Sequence, residues 1–264
     1  MNFLFLALLS LACCKEPKEY TFASTPSWAD EFDYEGLPDE TKWGYDVGSA
    51  NGWGNQEQQY YTEKRMENAR VGGGVLTLTA IRENYENAAY TSARLISRGK
   101  ADFCYGRFEA SVKLPSGVGT WPAVWLLPTD WEYGDWPASG EIDILEHVGY
   151  DPNVAHVSVH TQAYNHTIGT QKTTKKRIEN ASTEFHRYRV DWTPQYIRGF
   201  IDDVQIFDFA NEGTGFRAWP FDKKFYWLIN IAVGGNWGGQ QGIDNTSFPA
   251  QMEVDYVRVY NLIE

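Results

Sequence analysis

The sequence predicts an all-β domain, a sandwich of antiparallel strands, and three observations carry that prediction. Short segments alternate apolar with polar residues along most of the chain. Turn residues separate those segments, and no convincing amphipathic helix interrupts them. One run, "KFYWLINIAV" at 224–233, is almost continuously apolar and reads as a strand covered on both faces.

Taken in order, the chain begins with "MNFLFLALLSLACC" (1–14), an apolar run too short to span a bilayer that reads as an export signal. "KEPKEYTFASTPS" (15–27) follows as a polar tether. From Trp28 to about residue 262 there is no linker, repeat or low-complexity tract, so a single domain is expected over 28–262. Alternation places strands over 74–83, 106–114, 155–164, 186–193, 197–209 and 252–260. Asp202 and Asp203 fall between apolar alternations and read as a hairpin turn. Cys104 is the one cysteine outside the signal, which leaves no partner for an intramolecular disulfide, and a buried small hydrophobe is its default role.

Composition narrows the partners. A net charge of −12 argues against nucleic acid and anionic membrane surfaces, both of which need a basic face. Aromatic residues make up 16% of the chain, with 11 Trp; they either fill the core or offer stacking faces to flat apolar ligands such as sugar rings.

The chemistry concentrates in "EIDILE", residues 141–146. On a regular strand Glu141 and Asp143 share one face and Glu146 points to the other. A β-bulge at 144–145 would slip the alternation by one and bring all three acids together. Three acids on one face repel and lose solvation, which a purely structural role does not justify. Two carboxyls flanking a bond are the equipment of glycoside hydrolysis.

Five segments resemble glycoside hydrolase family 16, in its laminarinase-like endo-β-1,3-glucanases. They are "NGWGNQEQQYYT" (51–62), "GTWPAVWLLP" (119–128), "GEIDILEHVG" (140–149), "VHTQAYNH" (159–166) and "NIAVGGNWGG" (230–239). The resemblance implies a β-jelly roll of two curved antiparallel sheets with an open concave cleft, and hydrolysis with retained anomeric configuration. It implies Glu141 as nucleophile, Glu146 as acid/base and Asp143 as the residue that orients the nucleophile. Asn51, Glu57, Arg94, Trp121, Trp125, Trp131, Trp136, His160 and Trp237 are the expected sugar-binding residues. Core packing is the other reading of Trp121 and Trp125 and a surface strand charge that of Arg94, while His166 could cap a loop or reach sugar.

No cofactor is expected for catalysis. Many members of the family hold a structural calcium, which here implies Asp255 with backbone carbonyls near Glu31 and Gly74; calcium takes six to eight oxygens. The expected partner is a β-glucan, met by a monomer. The alternatives are a mixed-linkage glucan, a marine galactan such as agar, porphyran or carrageenan, or a non-catalytic glucan-binding lectin. The signal resembles that of a bacterial lipoprotein, in which Cys13 or Cys14 is acylated, so contact with a membrane is expected only through that anchor. A plain cleaved signal and secretion is the other reading.

Overall fold

The computed structural model describes residues 18–263, so the signal segment and the Cys13 and Cys14 expectations lie outside the described residues. Two sheets enclose the core. One has eight strands, in the order Lys172–Arg177, Val154–His160, Glu141–His147, Thr120–Pro128, Phe225–Val233, Arg94–Ile96 and Gly44–Tyr45, with Asp102–Phe103 added against Phe225–Val233. The other has ten, running Val204–Ala210, Tyr196–Ile201, His186–Trp192, Gly106–Lys113, Ala250–Tyr260, Val75–Tyr85, Ala88–Ser92 and Gln59–Tyr61, with Trp28–Asp30 and Ala69–Gly72 on side branches. Helix among the described residues is limited to 3-10 turns such as Ala50–Gly52. The architecture is the expected jelly-roll sandwich with an open cleft.

Alternation explains the layering. Leu78, Phe108, Val190 and Val257 of the ten-stranded sheet meet Val124, Ile144, Val157 and Ile229 of the eight-stranded sheet in one core. Phe108 bridges the layers, with its ring centroid 5.4 Å from Trp227 and 5.7 Å from Trp192. All nine residues of Phe225–Val233 are buried, as its apolar run predicts. Its inward residues join the core. On its other face Tyr226 and Leu228 form a second apolar cluster with Leu127, which Ile96, Trp125 and Trp131 cover. The Asp202–Asp203 hairpin is present, with both residues at positive φ (49° and 65°), a region that Asp tolerates better than most residues.

Two expectations change. The described part of the 15–27 tether is docked on the domain: Thr21–Phe22 pairs antiparallel with Leu262–Ile263, Glu19 bonds Arg198 at 3.0 Å, and the Phe22 ring lies under Arg107. Cys104 is exposed rather than buried, because it sits in the short connection between the Asp102–Phe103 and Gly106–Lys113 strands and not within either.

Candidate active site

The bulge in the acidic strand is where its sequence places it. Against the Val154–His160 strand, Glu141 pairs with His160 and Asp143 with Ser158, and the register then slips so that Glu146 pairs with His156. Against Thr120–Pro128, Leu145 pairs with Val124 and Asp143 with Trp125, which leaves Ile144 as the extra residue. Sequence dictates this outcome. Ile144 and Leu145 are consecutive and both join the core between the sheets, which regular alternation, pointing them to opposite faces, does not allow. Burying each contributes about 1.5–3 kcal/mol, more than the roughly 1 kcal/mol of a ladder hydrogen bond that the bulge gives up. Glu141, Asp143 and Glu146 therefore share the face opposite the core, and each stands beside a polar residue of the neighbouring strand.

Each acid has its own surroundings. Trp136 Nε1 donates to Glu141 Oε2 at 2.6 Å. Asp143 is 1% exposed, and Glu141, Asp143 and His160 each bring an atom within 4.8 Å of the others. His160 Nε2 stands 3.4 Å from Asp143 Oδ2, in ion-pair range but without good hydrogen-bond geometry. Burial pushes the Asp143 carboxyl well up, and the adjacent Glu141 charge adds to it, which favours the neutral form able to donate to Glu141. Glu146 is also pushed well up, by desolvation first and then by its acidic neighbours Asp143 and Glu141. Trp121 Nε1 donates to Glu146 Oε1 at 3.2 Å. A carboxyl raised in this way favours the protonated form that an acid catalyst requires.

The expected platforms fall into two groups. Trp121 lies edge-on to Trp237 with centroids 5.5 Å apart, and Trp237 in turn meets His156 at 4.9 Å, so its indole is half-buried between the two. The 234–239 loop reaches this position because Gly235, at φ 78°, passes over its neighbours: a Cβ there would lie 3.3 Å from Glu57 Cγ and 3.4 Å from Trp121 Cζ3. Glu57, bridged to Gly234, accepts hydrogen bonds from Asn55, Gln59 and Tyr61, while burial raises its carboxyl.

The second group surrounds Arg94. Its guanidinium sits 4.8 Å from the rings of both Trp53 and Trp125 and pairs with Asp46 at 2.9 Å, so it is a buried clamp and not a surface charge. Trp125 Nε1 donates to Asn230 Oδ1 at 2.7 Å, and Asn230 Nδ2 donates to the Tyr61 hydroxyl at 3.0 Å. Trp131 packs on the second apolar cluster beside Trp125. Asn51 is exposed in the Ala50–Gly52 turn at φ 52° and makes no side-chain hydrogen bond to the described residues.

Sequence reasoning did not single out Asn230, Tyr61 or Trp53. Asn230 carried a usable signal, as the one polar side chain inside a nine-residue buried strand.

Asp255 lies on the ten-stranded sheet, away from these acids, with Glu31 just past the Trp28–Asp30 strand and Gly74 in the turn between Ala69–Gly72 and Val75–Tyr85. Asp255 is the extra residue of a second bulge, where Ser111 pairs with Tyr256 and Val112 with Val254. Its strand pairs with Leu76 at Val254 and with Asp30 at Val257, so the backbone at Gly74 and Glu31 continues toward Asp255 from either side. The Glu31 carboxylate is held by Arg258 at 2.7 and 2.8 Å, and Asp255 has no ion-pair partner among the described residues. One carboxylate without an ion-pair partner, at a bulge flanked by the ends of two neighbouring strands, is the type of oxygen donor a hard cation takes.

Comparison with known proteins agrees with this geometry. The chain belongs to the glycosyl hydrolases family 16, whose family model matches residues 55–258. It is 58% identical over 244 residues to a beta-glucanase of Rhodothermus marinus, covering 90% of this chain and 85% of that one. The crystal structure of the laminarinase from Rhodothermus marinus superposes with a TM-score of 0.90 at 56% identity, over 94% of this chain and 100% of that one. A glucan endo-1,3-beta-glucosidase of Cryptopygus antarcticus is 36% identical over 248 residues, covering 88% and 90% of the two chains.

Proposed function

We propose that the protein is a retaining endo-β-1,3-glucanase that cleaves laminarin-like glucans by double displacement. The observation that carries this reading is the bulge, which sets Glu146, its carboxyl pushed up by burial, on the same face as Glu141. In the first step a Glu141 oxygen bonds the anomeric carbon while Glu146 gives its proton to the glycosidic oxygen, and the bond to the departing chain breaks. The resulting ester carries no charge on Glu141. One of the repulsions that raise Glu146 is thereby removed, and Glu146, now ionised, can accept a proton. Water then bonds the anomeric carbon, its proton passes to Glu146, and the ester to Glu141 breaks. Two inversions give retention. Asp143 donates its proton to Glu141 as a hydrogen bond and holds the carboxylate in line.

Trp121 and Trp237 offer stacking faces near Glu146, and Arg94 and Asn230 hold Trp125 from behind. The residues placed around the acids are mostly Trp, His, Asn and carboxylates, with Arg94 paired to Asp46, which favours a neutral glucan over a sulfated galactan. Glu141→Gln is expected to bind laminarin and release no reducing sugar; normal hydrolysis by that variant would sink the nucleophile assignment. A panel of laminarin, barley mixed-linkage glucan, agarose and carrageenan tests the substrate. Turnover of agarose without laminarin would overturn the glucan reading, and binding without turnover of any would favour a lectin.

The same proposal includes export as an acylated lipoprotein through Cys13 or Cys14, read by palmitate labelling of the intact cell, and action as a monomer, read by light scattering. It also includes a structural calcium held by Asp255 with the main chain near Glu31 and Gly74. Chelation should then lower the thermal midpoint without changing the pH profile of the remaining activity.

A further inference from the structure

We infer that Trp136 acts on the nucleophile, positioning the Glu141 carboxylate through its indole N–H, instead of serving as a stacking face for sugar. The inference rests on the reading of Glu141 as nucleophile. Its first support is the contact itself, Nε1 to Oε2 at 2.6 Å, a charge-assisted hydrogen bond. The terminal torsion of a glutamate is broad and two-fold, so an N–H on one oxygen selects one orientation of the carboxylate. The indole is also packed against imidazoles, His166 at 5.0 Å and 37° and His160 at 5.9 Å and 47°, and is half-buried as a result.

The loop joining the two residues is closed on itself. Ser139 Oγ donates to the Gly134 carbonyl at 2.6 Å and accepts from the Tyr133 N–H at 3.1 Å, while Ala138 N–H donates to the Asp135 carbonyl at 2.8 Å. Gly140, at φ 89°, is wedged so tightly that a Cβ would lie 2.8 Å from Pro220 and 2.9 Å from Phe221. A loop fixed at this many points sets the distance between Trp136 and Glu141, which a platform meant to follow a mobile sugar does not need.

The two chemical steps respond differently to the bond. An N–H donated to a carboxylate stabilises its charged form. Attack on the anomeric carbon consumes that charge and release of the ester restores it, so the indole assists chiefly the second step, when Glu141 leaves.

The test compares wild type with Trp136→Phe, which keeps an aromatic ring and loses the N–H, on 2,4-dinitrophenyl β-laminaribioside. Acid-quenched enzyme is read by intact-protein mass spectrometry. The variant should show a glycosyl-enzyme adduct well above the wild-type level, with kcat lowered about 10- to 150-fold and KM no higher. That range is the rate equivalent of about 1.5–3 kcal/mol for a hydrogen bond to a charged group. The adduct is scored only over enzyme retained by a laminarin column, so a partly misfolded preparation does not distort it. Wild-type kcat with a raised KM and no adduct would make Trp136 a sugar platform and overturn the inference. Glu141→Gln, run alongside, separates the two readings: if it hydrolyses normally the nucleophile assignment fails, and if it is inactive while Trp136→Phe behaves as wild type, only the role of Trp136 fails.

Discussion

Asn230→Ala should weaken both the fold and the cleft, and the structure sets the size of the effect. Asn230 is 5% exposed and its amide makes two hydrogen bonds, accepting from Trp125 Nε1 at 2.7 Å and donating to the Tyr61 hydroxyl at 3.0 Å. Losing both costs about 2 kcal/mol, and the Trp125 N–H left without an acceptor adds about 1–3 kcal/mol of uncompensated desolvation. A total of about 3–5 kcal/mol corresponds to a fall of roughly 6–20 °C in thermal midpoint for a domain of this size. Function should follow, because Trp125 stacks on Arg94 and the Tyr61 hydroxyl reaches Glu57 at 3.4 Å. Differential scanning calorimetry with initial rates on laminarin is the assay, and KM should rise. A midpoint within about 2 °C of wild type together with an unchanged KM would show that the Trp125–Asn230–Tyr61 chain does not hold the cleft wall.

Glu146→Ala should lower kcat on laminarin by about 10²–10⁴, the usual contribution of general acid–base catalysis, with a much smaller loss in the first step on a dinitrophenyl glycoside that leaves without protonation. Equal losses on the two substrates would argue against Glu146 as the acid. His156→Gln tests linkage. Burial lowers His156 from 6.5 to about 4, a folded value below the unfolded one, so its contribution to stability is complete above pH 6.5 and fades as pH falls toward 4. The difference in thermal midpoint between wild type and variant should therefore shrink over that window, and a constant difference from pH 7 to pH 4 would refute it.

The bulge was legible in the sequence because two constraints met in six residues. Ile144 and Leu145 both need burial, and the acids on either side of them cannot enter a core. Strand periodicity likewise located the hairpin at Asp202–Asp203 and the doubly covered strand at 225–233. What stayed hidden depended on partners far along the chain. Asn230 meets Tyr61 across 169 positions and Trp125 across 105, and no local pattern specifies which strands become neighbours. Trp136 shows a different limit: its partner is five residues away, yet the contact depends on how the loop folds back, and a Gly140 wedged under Pro220 and Phe221 is not visible in a linear reading. Cys104 was misread because burial statistics describe a residue type, whereas its position between two strands decided its exposure.

The docking of residues 18–22 gives the molecule a front and a back. Glu19 and Phe22 rest on Arg198 and Arg107 of the ten-stranded sheet, whereas the acids open from the eight-stranded sheet on the opposite side. The first described residues therefore lie on the rear of the sandwich. The catalytic groove is turned from residues 18–22 as a palm is from the back of a hand, so a long glucan chain lying in it runs on the side away from them.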